Sequence, residues 1–355
     1  MATKIIWYTR CPVPTAAGIA YQRRTFRELF AGSGYEVRNI KELGAGQLNT
    51  HFHHELDASF REGGGSPPIW AYAKGAPTRL LAITFMEEVL GIYVRADDPA
   101  ASVTDLAGRR AALPVWPKLI FNFFRFAAEK GFHSALRVHG MSDRDMKFVD
   151  VAETDDPAEF INPDFADGRP RVTRSYYHEQ LEALRAGKVD AIFGKGGETA
   201  ALEREAGGAI RRLYDLRDAP TMADRVNNST PRLLTVSESL VEQHPEAVTR
   251  YVQTLVRTAI WARTHEAEAA QAVAAEAGIE PADIRTCFSN FTAKLLPELN
   301  DDFLAALEVM KDFLHRRGYI ARNFDVADWL APAPLAEAYA REGISPTRPG
   351  VQISA

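Results

Sequence analysis

A chain of 355 residues exceeds one ordinary core and points to two domains. Hydrophobic residues at 46% and charged residues at 25% are globular proportions that exclude disorder, collagen and coiled coil. A formal net charge of -5 removes the basic footprint that nucleic-acid binding requires, and no apolar run is long enough for a bilayer span, so neither nucleic acid nor membrane is expected as a partner.

The stretch KIIWYT at 4–9 is a short apolar run rich in strand formers, ending at a Pro-rich turn, 11–14. Apolar residues recur at helical spacing over 18–30, Gly32 and Gly34 stop that helix, and 35–40 reads as the next strand, which completes one βαβ unit. The segment HFHHELDASFREGGGSPP, 51–68, reads as a loop dense in His, Gly and charge, with a short helix at 57–62 as its plainest local structure. A helix-like stretch at 70–73 then leads to two strand-like runs, RLLAITF and GIYVRADD. SVTDLAGRRAALPVW reads as a capped helix, a glycine turn and a strand, followed by a helix at 121–131 and the strand KFVDVA at 147–152. Residues 176–185 are helical, VDAIFG is a strand, RLLTV at 232–236 is another, and the chain from Glu238 to about residue 340 is almost wholly helical. The alternation predicts an α/β fold of mixed, mostly parallel sheets flanked by helices, with a helical C-terminal layer. One lobe takes 1–104 plus 229–355 and the second takes 105–228.

Two cysteines, Cys11 and Cys287, are too few for a disulfide framework or a CxxC metal site. The opening MATKIIWYTR has a four-residue apolar stretch, far short of a signal-peptide core, so a cytoplasmic location is expected. Cys11 follows a strand's C-terminal end, where open α/β sheets place ligands, although a lone cysteine there also serves as a small buried hydrophobe. His51, His53 and His54 lack zinc-ligand spacing, so no metal is expected. Arg61 offers a bidentate fork two residues before Gly63, and the run that includes Gly64 lets backbone amides approach an anion as a nest. Trp116 and Phe121 are candidates to wall an apolar substrate, with core packing as the alternative. Cys287, within TCFSNF, reads as structural.

TRCPVP at 9–14, His51-Phe52, Arg61, Gly63, Gly64 and the Pro67-Pro68 pair together resemble the 2'-hydroxybiphenyl-2-sulfinate desulfinases. The likeness continues through TRLLAIT at 78–84, VRADDP at 94–99, DLAGRR at 105–110, LTVSESLV, IWARTH and ADWLAP at 327–332, and so covers most of the chain. It is weakest over about 114–177. The resemblance implies a two-lobed fold of the type II periplasmic-binding-protein kind put to enzymatic use. It also implies that Cys11 is the essential cysteine, His51 its histidine partner, Arg61 the sulfinate-binding arginine and Gly64 a backbone donor.

The expected activity is that of a hydrolase acting on carbon–sulfur bonds, a desulfinase that converts a small organic, aromatic sulfinate to its desulfinated product and sulfite. Cys11 would attack sulfur or protonate the ipso carbon, two routes that the sequence leaves open. No organic cofactor or metal is expected, and the expected state is a monomer. The alternative is a non-catalytic solute-binding protein of the sulfonate, taurine or thiamine-precursor type, because this fold serves both. A thiol beside a His/Arg pair is a feature a passive receptor does not need.

Overall fold

The structure, a computed structural model, describes residues 3–9, 13–43, 49–154 and 175–345. In chain order its strands are β1 (Lys4–Thr9), β2 (Tyr35–Asn39), β3 (Ser59–Gly64), β4 (Thr78–Thr84), β5 (Leu90–Arg95), β6 (Arg110–Val115), β7 (Lys147–Ala152), β8 (Ile192–Lys195), β9 (Ile210–Asp215) and β10 (Arg232–Ser237). The chain divides into two units. The first holds Met1–Met86, Ser229–Ala277 and Asn290–Ala355; the second holds Glu87–Asn228 and Gly278–Ser289. The first crossing falls at Glu87, ahead of the expected residue 105, because β5 pairs with β8 and β9. The helix Pro281–Cys287, expected in one C-terminal layer with its neighbours, belongs to the second unit.

The first unit is built on a five-stranded sheet of order β2-β1-β3-β10-β4. β1 runs parallel to β2 and to β3, and β10 lies antiparallel between β3 and β4. The sheet is therefore mixed, and the expected parallel character is confined here to β1 with its two neighbours. On one face Phe60 lies under Tyr251 of the helix Pro245–Thr264, with ring centroids 3.7 Å apart and planes at 4°. Phe26 stacks on the same tyrosine at 4.7 Å, so three aromatic rings fasten helices to sheet. The helix expected over 18–30 is two helices, Ala16–Gln22 and Thr25–Leu29, because Arg24 sits in the left-handed region at φ 64° and breaks the ladder between them. Thr15 caps the first, its hydroxyl accepting from the Gly18 amide at 3.0 Å.

In the second unit β5 is antiparallel to β8 and β9, and β6 is parallel to β7. The helix Phe123–Val138 begins where Asn122 accepts the Arg125 amide at 3.2 Å, and its apolar stripe packs into a core with Ile92, Leu113 and Phe193. Trp116 is buried and stacks on Phe124 with centroids 5.2 Å apart, in a cluster that includes Phe123 and Tyr176. Phe121 is buried as well. Cys287 is buried in this unit, where desolvation pushes its thiol up to about 11, a range in which it stays protonated and inert. Among the described residues no helix is long and apolar enough to cross a membrane.

Candidate active site

The segment read as a charged loop with a helix at 57–62 is different in the folded chain. Thr50–His53 is a single helical turn, and Ser59–Gly64 is β3, buried along its whole length between β1 and β10. Strand alternation then sends Phe60 and Glu62 to one face of the sheet and Ser59 and Arg61 to the other. Gly63 and Gly64 are registered against Leu233 and Arg232 of β10, so the run read as a free anion nest is the end of a paired strand. Gly65 then starts the helix Ser66–Ala73, where an added Cβ would lie 2.9 Å from the Met310 sulfur.

Arg61 is 2% exposed, and its neighbours in register are Thr9 on β1 and Thr235 on β10. These three side chains form one row across three strands. The hydroxyls of Thr9 and Thr235 are buried and have no hydrogen-bond partner among the described residues. The guanidinium is oriented by His51: Nε donates to the His51 carbonyl at 3.1 Å, and Nη2 lies 3.3 Å from His51 Nε2. An arginine can only donate, so Nε2 is the acceptor and the imidazole proton resides on Nδ1. That Nδ1 is buried and has no partner among the described residues.

Burial, then the Arg61 charge, then His54 hold the His51 pKa well below the usual 6.5, so the ring is neutral. His54, in the left-handed region at φ 58°, is depressed in the same way by burial, Arg61 and His53. His53 Nδ1 accepts the Glu55 amide at 3.2 Å. Among the described residues no group of His, Cys, Asp and Glu is arranged to hold a metal.

The opposite face of β3 carries a second buried charge pair that the sequence reading missed. Glu62 accepts the Ala17 amide at 2.9 Å, and the Arg232 guanidinium lies within electrostatic reach. Arg232, 1% exposed, also donates to the Pro14 carbonyl. The available signals were faint: Glu62 adjoins Arg61, and Arg232 opens a strand that is otherwise apolar.

The structure brings His51 and Arg61 into contact and sets Thr9 and Thr235 in register beside Arg61. Cys11 lies outside the described residues; Thr9, two positions before it, is the residue registered against Arg61. Trp116 and Phe121 lie in the second unit, Trp116 in the aromatic cluster described above.

No protein-family model matches the chain. Curated proteins from Rhodococcus erythropolis and Rhodococcus qingshengii, each a 2'-hydroxybiphenyl-2-sulfinate desulfinase, are 29% identical over 352 aligned residues, covering 92% of this chain and 91% of theirs. The chain is a relative of these desulfinases. A crystal structure of a cysteine-to-serine variant of the desulfinase DszB in complex with biphenyl-2-sulfinic acid superimposes with a TM-score of 0.74 at 27% identity, covering 96% of this chain and 99% of that one. The periplasmic sulfonate-binding protein SsuA of Methylobacillus flagellatus KT superimposes with a TM-score of 0.71 at 17% identity, covering 99% of this chain and all of that one, a likeness of fold alone. The fold is thus the mixed α/β, binding-protein-like one expected, and among these neighbours the desulfinases also share more of the sequence.

Proposed function

We propose that this protein is an enzyme that cleaves the C–S bond of an aromatic sulfinate, releasing sulfite and the desulfinated arene. The observation that carries the reading is the buried Arg61, locked by two contacts to a neutral His51 and registered against Thr9, from which the chain runs into the segment holding Cys11. The desulfinase relatives support the reaction class.

The chemistry balances with water alone: RSO2⁻ + H2O gives RH + HSO3⁻. The carbon gains a proton, sulfur gains an oxygen, and no external oxidant or reductant enters. Arg61 binds the sulfinate oxygens, and its fixed orientation lowers the entropy lost on binding. Thr9 and Thr235 add hydroxyl donors beside it. His51 presents Nδ1–H, a donor suited to a thiolate or a developing oxyanion, while its Nε2 lone pair is occupied by Arg61. Cys11 provides the reactive sulfur, either by attack on the sulfinate sulfur or by protonating the ipso carbon.

A panel of aryl and alkyl sulfinates tests the reading, with sulfite and arene both quantified. Cys11→Ser is expected to abolish both products while retaining sulfinate affinity. Tight binding with no arene formed from any sulfinate by the wild-type protein would assign the chain to the solute-binding class instead.

A further inference from the structure

The backbone that follows Cys11 is gripped from beneath the sheet. Within four residues, the Pro14 carbonyl accepts from Arg232 Nη1, and the amides of Ala16 and Ala17 donate to the Glu62 carboxylate, the latter at 2.9 Å. Glu62 and Arg232 stand on the adjacent strands β3 and β10, with Gly64 opposite Arg232 and Leu234 opposite Glu62. The pair is buried, with each side chain about 1–2% exposed. Its grip begins three positions past Cys11, and on the other side of Cys11 the chain is anchored by Thr9 in β1. The two charges lie on the sheet face opposite the Arg61 side chain.

We propose that Glu62 and Arg232 are positioning residues for Cys11, and that the ionised Glu62 carboxylate is the form that holds the following backbone in its working register. This deepens the desulfinase reading and rests on it for the role of Cys11.

Glu62 is placed to titrate in the working range. Burial raises it to about 7 against the opposing pull of the Ala17 amide, Arg232 and the Ala16 amide. Among the described residues, the other ionisable groups on this side of the sheet include Tyr8 of β1, Tyr251 from the helix Pro245–Thr264, and Glu276 from the helix Glu266–Ala277. Glu276 accepts from the Tyr8 hydroxyl of β1 at 2.8 Å and from Gln22 of the helix Ala16–Gln22 at 2.6 Å. Burial and the two carboxylates raise Tyr251 well above its usual value, so it remains neutral where Glu62 ionises. His51 is held well below 6.5 and does not titrate there either. Above about pH 7 the carboxylate offers two acceptor oxygens and a charge to Arg232; below it, the neutral acid loses that charge and one oxygen's full accepting power.

The test uses the full chain in a Cys287→Ser background, so that Cys11 is the sole thiol. Two quantities are followed from about pH 6 to about pH 9: kcat and KM on a sulfinate that the wild type turns over, and the iodoacetamide alkylation rate of Cys11 divided by its thiolate fraction from ultraviolet absorbance. In the parent protein, kcat should rise through about pH 7 and the normalised alkylation rate should bend there. In Glu62→Gln, which keeps an acceptor for one amide, both inflections should vanish. At high pH, kcat should fall roughly tenfold with KM within about twofold. Arg232→Lys, which keeps the charge but loses the planar fork, should lower kcat without moving KM, and it serves as the second variant should Glu62→Gln melt early. An inflection near pH 7 that persists in Glu62→Gln, a loss confined to KM, or wild-type behaviour of Arg232→Lys would overturn the assignment. If the parent turns over no sulfinate, the functional reading fails separately, and the alkylation profiles alone decide the role of Glu62.

Discussion

At Arg61 the energetics of the proposed site are concentrated in one side chain. A guanidinium 2% exposed to solvent would be costly to bury without partners, and its Nε and Nη2 contacts to His51 both compensate the charge and fix the plane of the fork. A lysine at this position would supply charge without the two parallel donors that match a sulfinate. Arg61→Lys, measured by calorimetry in the non-turning Cys11→Ser background, is expected to weaken aryl sulfinate binding roughly tenfold or more, because charge-assisted hydrogen bonds are worth about 1.5–3 kcal/mol each. Affinity equal to the parent's would show that the anion is held elsewhere. Little of this site geometry was legible from residue type. The arginine and histidine could be named from their spacing and family likeness, but the tautomer of His51 follows only from its contact with Arg61, and the flanking hydroxyls of Thr9 and Thr235 only from strand register.

Among the elements, β3 shows most clearly where reading the sequence stops. Its residues, SFREGG, lack the β-branched alternation that marks a strand, and the charges at Arg61 and Glu62 argue for a solvated turn. The strand is nevertheless central and fully buried, because each charge finds a partner distant in sequence or on another element: Arg61 at His51, Glu62 at Ala17 and Arg232. By contrast β7 spans the residues expected of it, 147–152, since KFVDVA carries its own period-two pattern. The helix Phe123–Val138 shows packing at the same scale. A Cβ on Gly131 would sit 2.2 Å from a ring carbon of Phe193 on β8, so this glycine sets how closely helix and strand approach. Gly131→Ala should therefore destabilise the protein by about 1–3 kcal/mol despite alanine's better helix propensity, read from urea unfolding. Unchanged or raised stability would mean that the helix is free to shift.

For the molecule as a whole, buried titratable groups set the pH dependence of stability. His51 and His54 have folded pKa values well below 6.5, so below that pH the unfolded chain binds protons that the native state refuses, and stability is lost as pH falls. Glu62 acts in the other direction: its value is raised from 4.5 to about 7, so its contribution is fully present below 4.5 and is lost as pH rises through 7. Between about 4.5 and 6.5 the histidine contributions grow as pH rises while that of Glu62 shrinks. His54→Asn isolates one contribution, because asparagine tolerates the left-handed backbone at this position. Urea unfolding at about pH 6 and about pH 5 should show the parent losing about 1 kcal/mol more than the variant across that unit. Identical losses would mean that His54 protonates in the native state.

Composition and periodicity by themselves determined the α/β class and most strands, because hydrophobic alternation is a local property carried by each segment. The quartet of Cys11, His51, Arg61 and Gly64 was legible as a family likeness in the same linear way. Only the tertiary structure decided that Arg61 lies on a central strand, that His51 is neutral, and that Glu62 and Arg232 hold the backbone after Cys11. Each of those outcomes depends on partners contributed by other elements, and the burial that makes a charge expensive or shifts a pKa does not exist until the sheet is assembled.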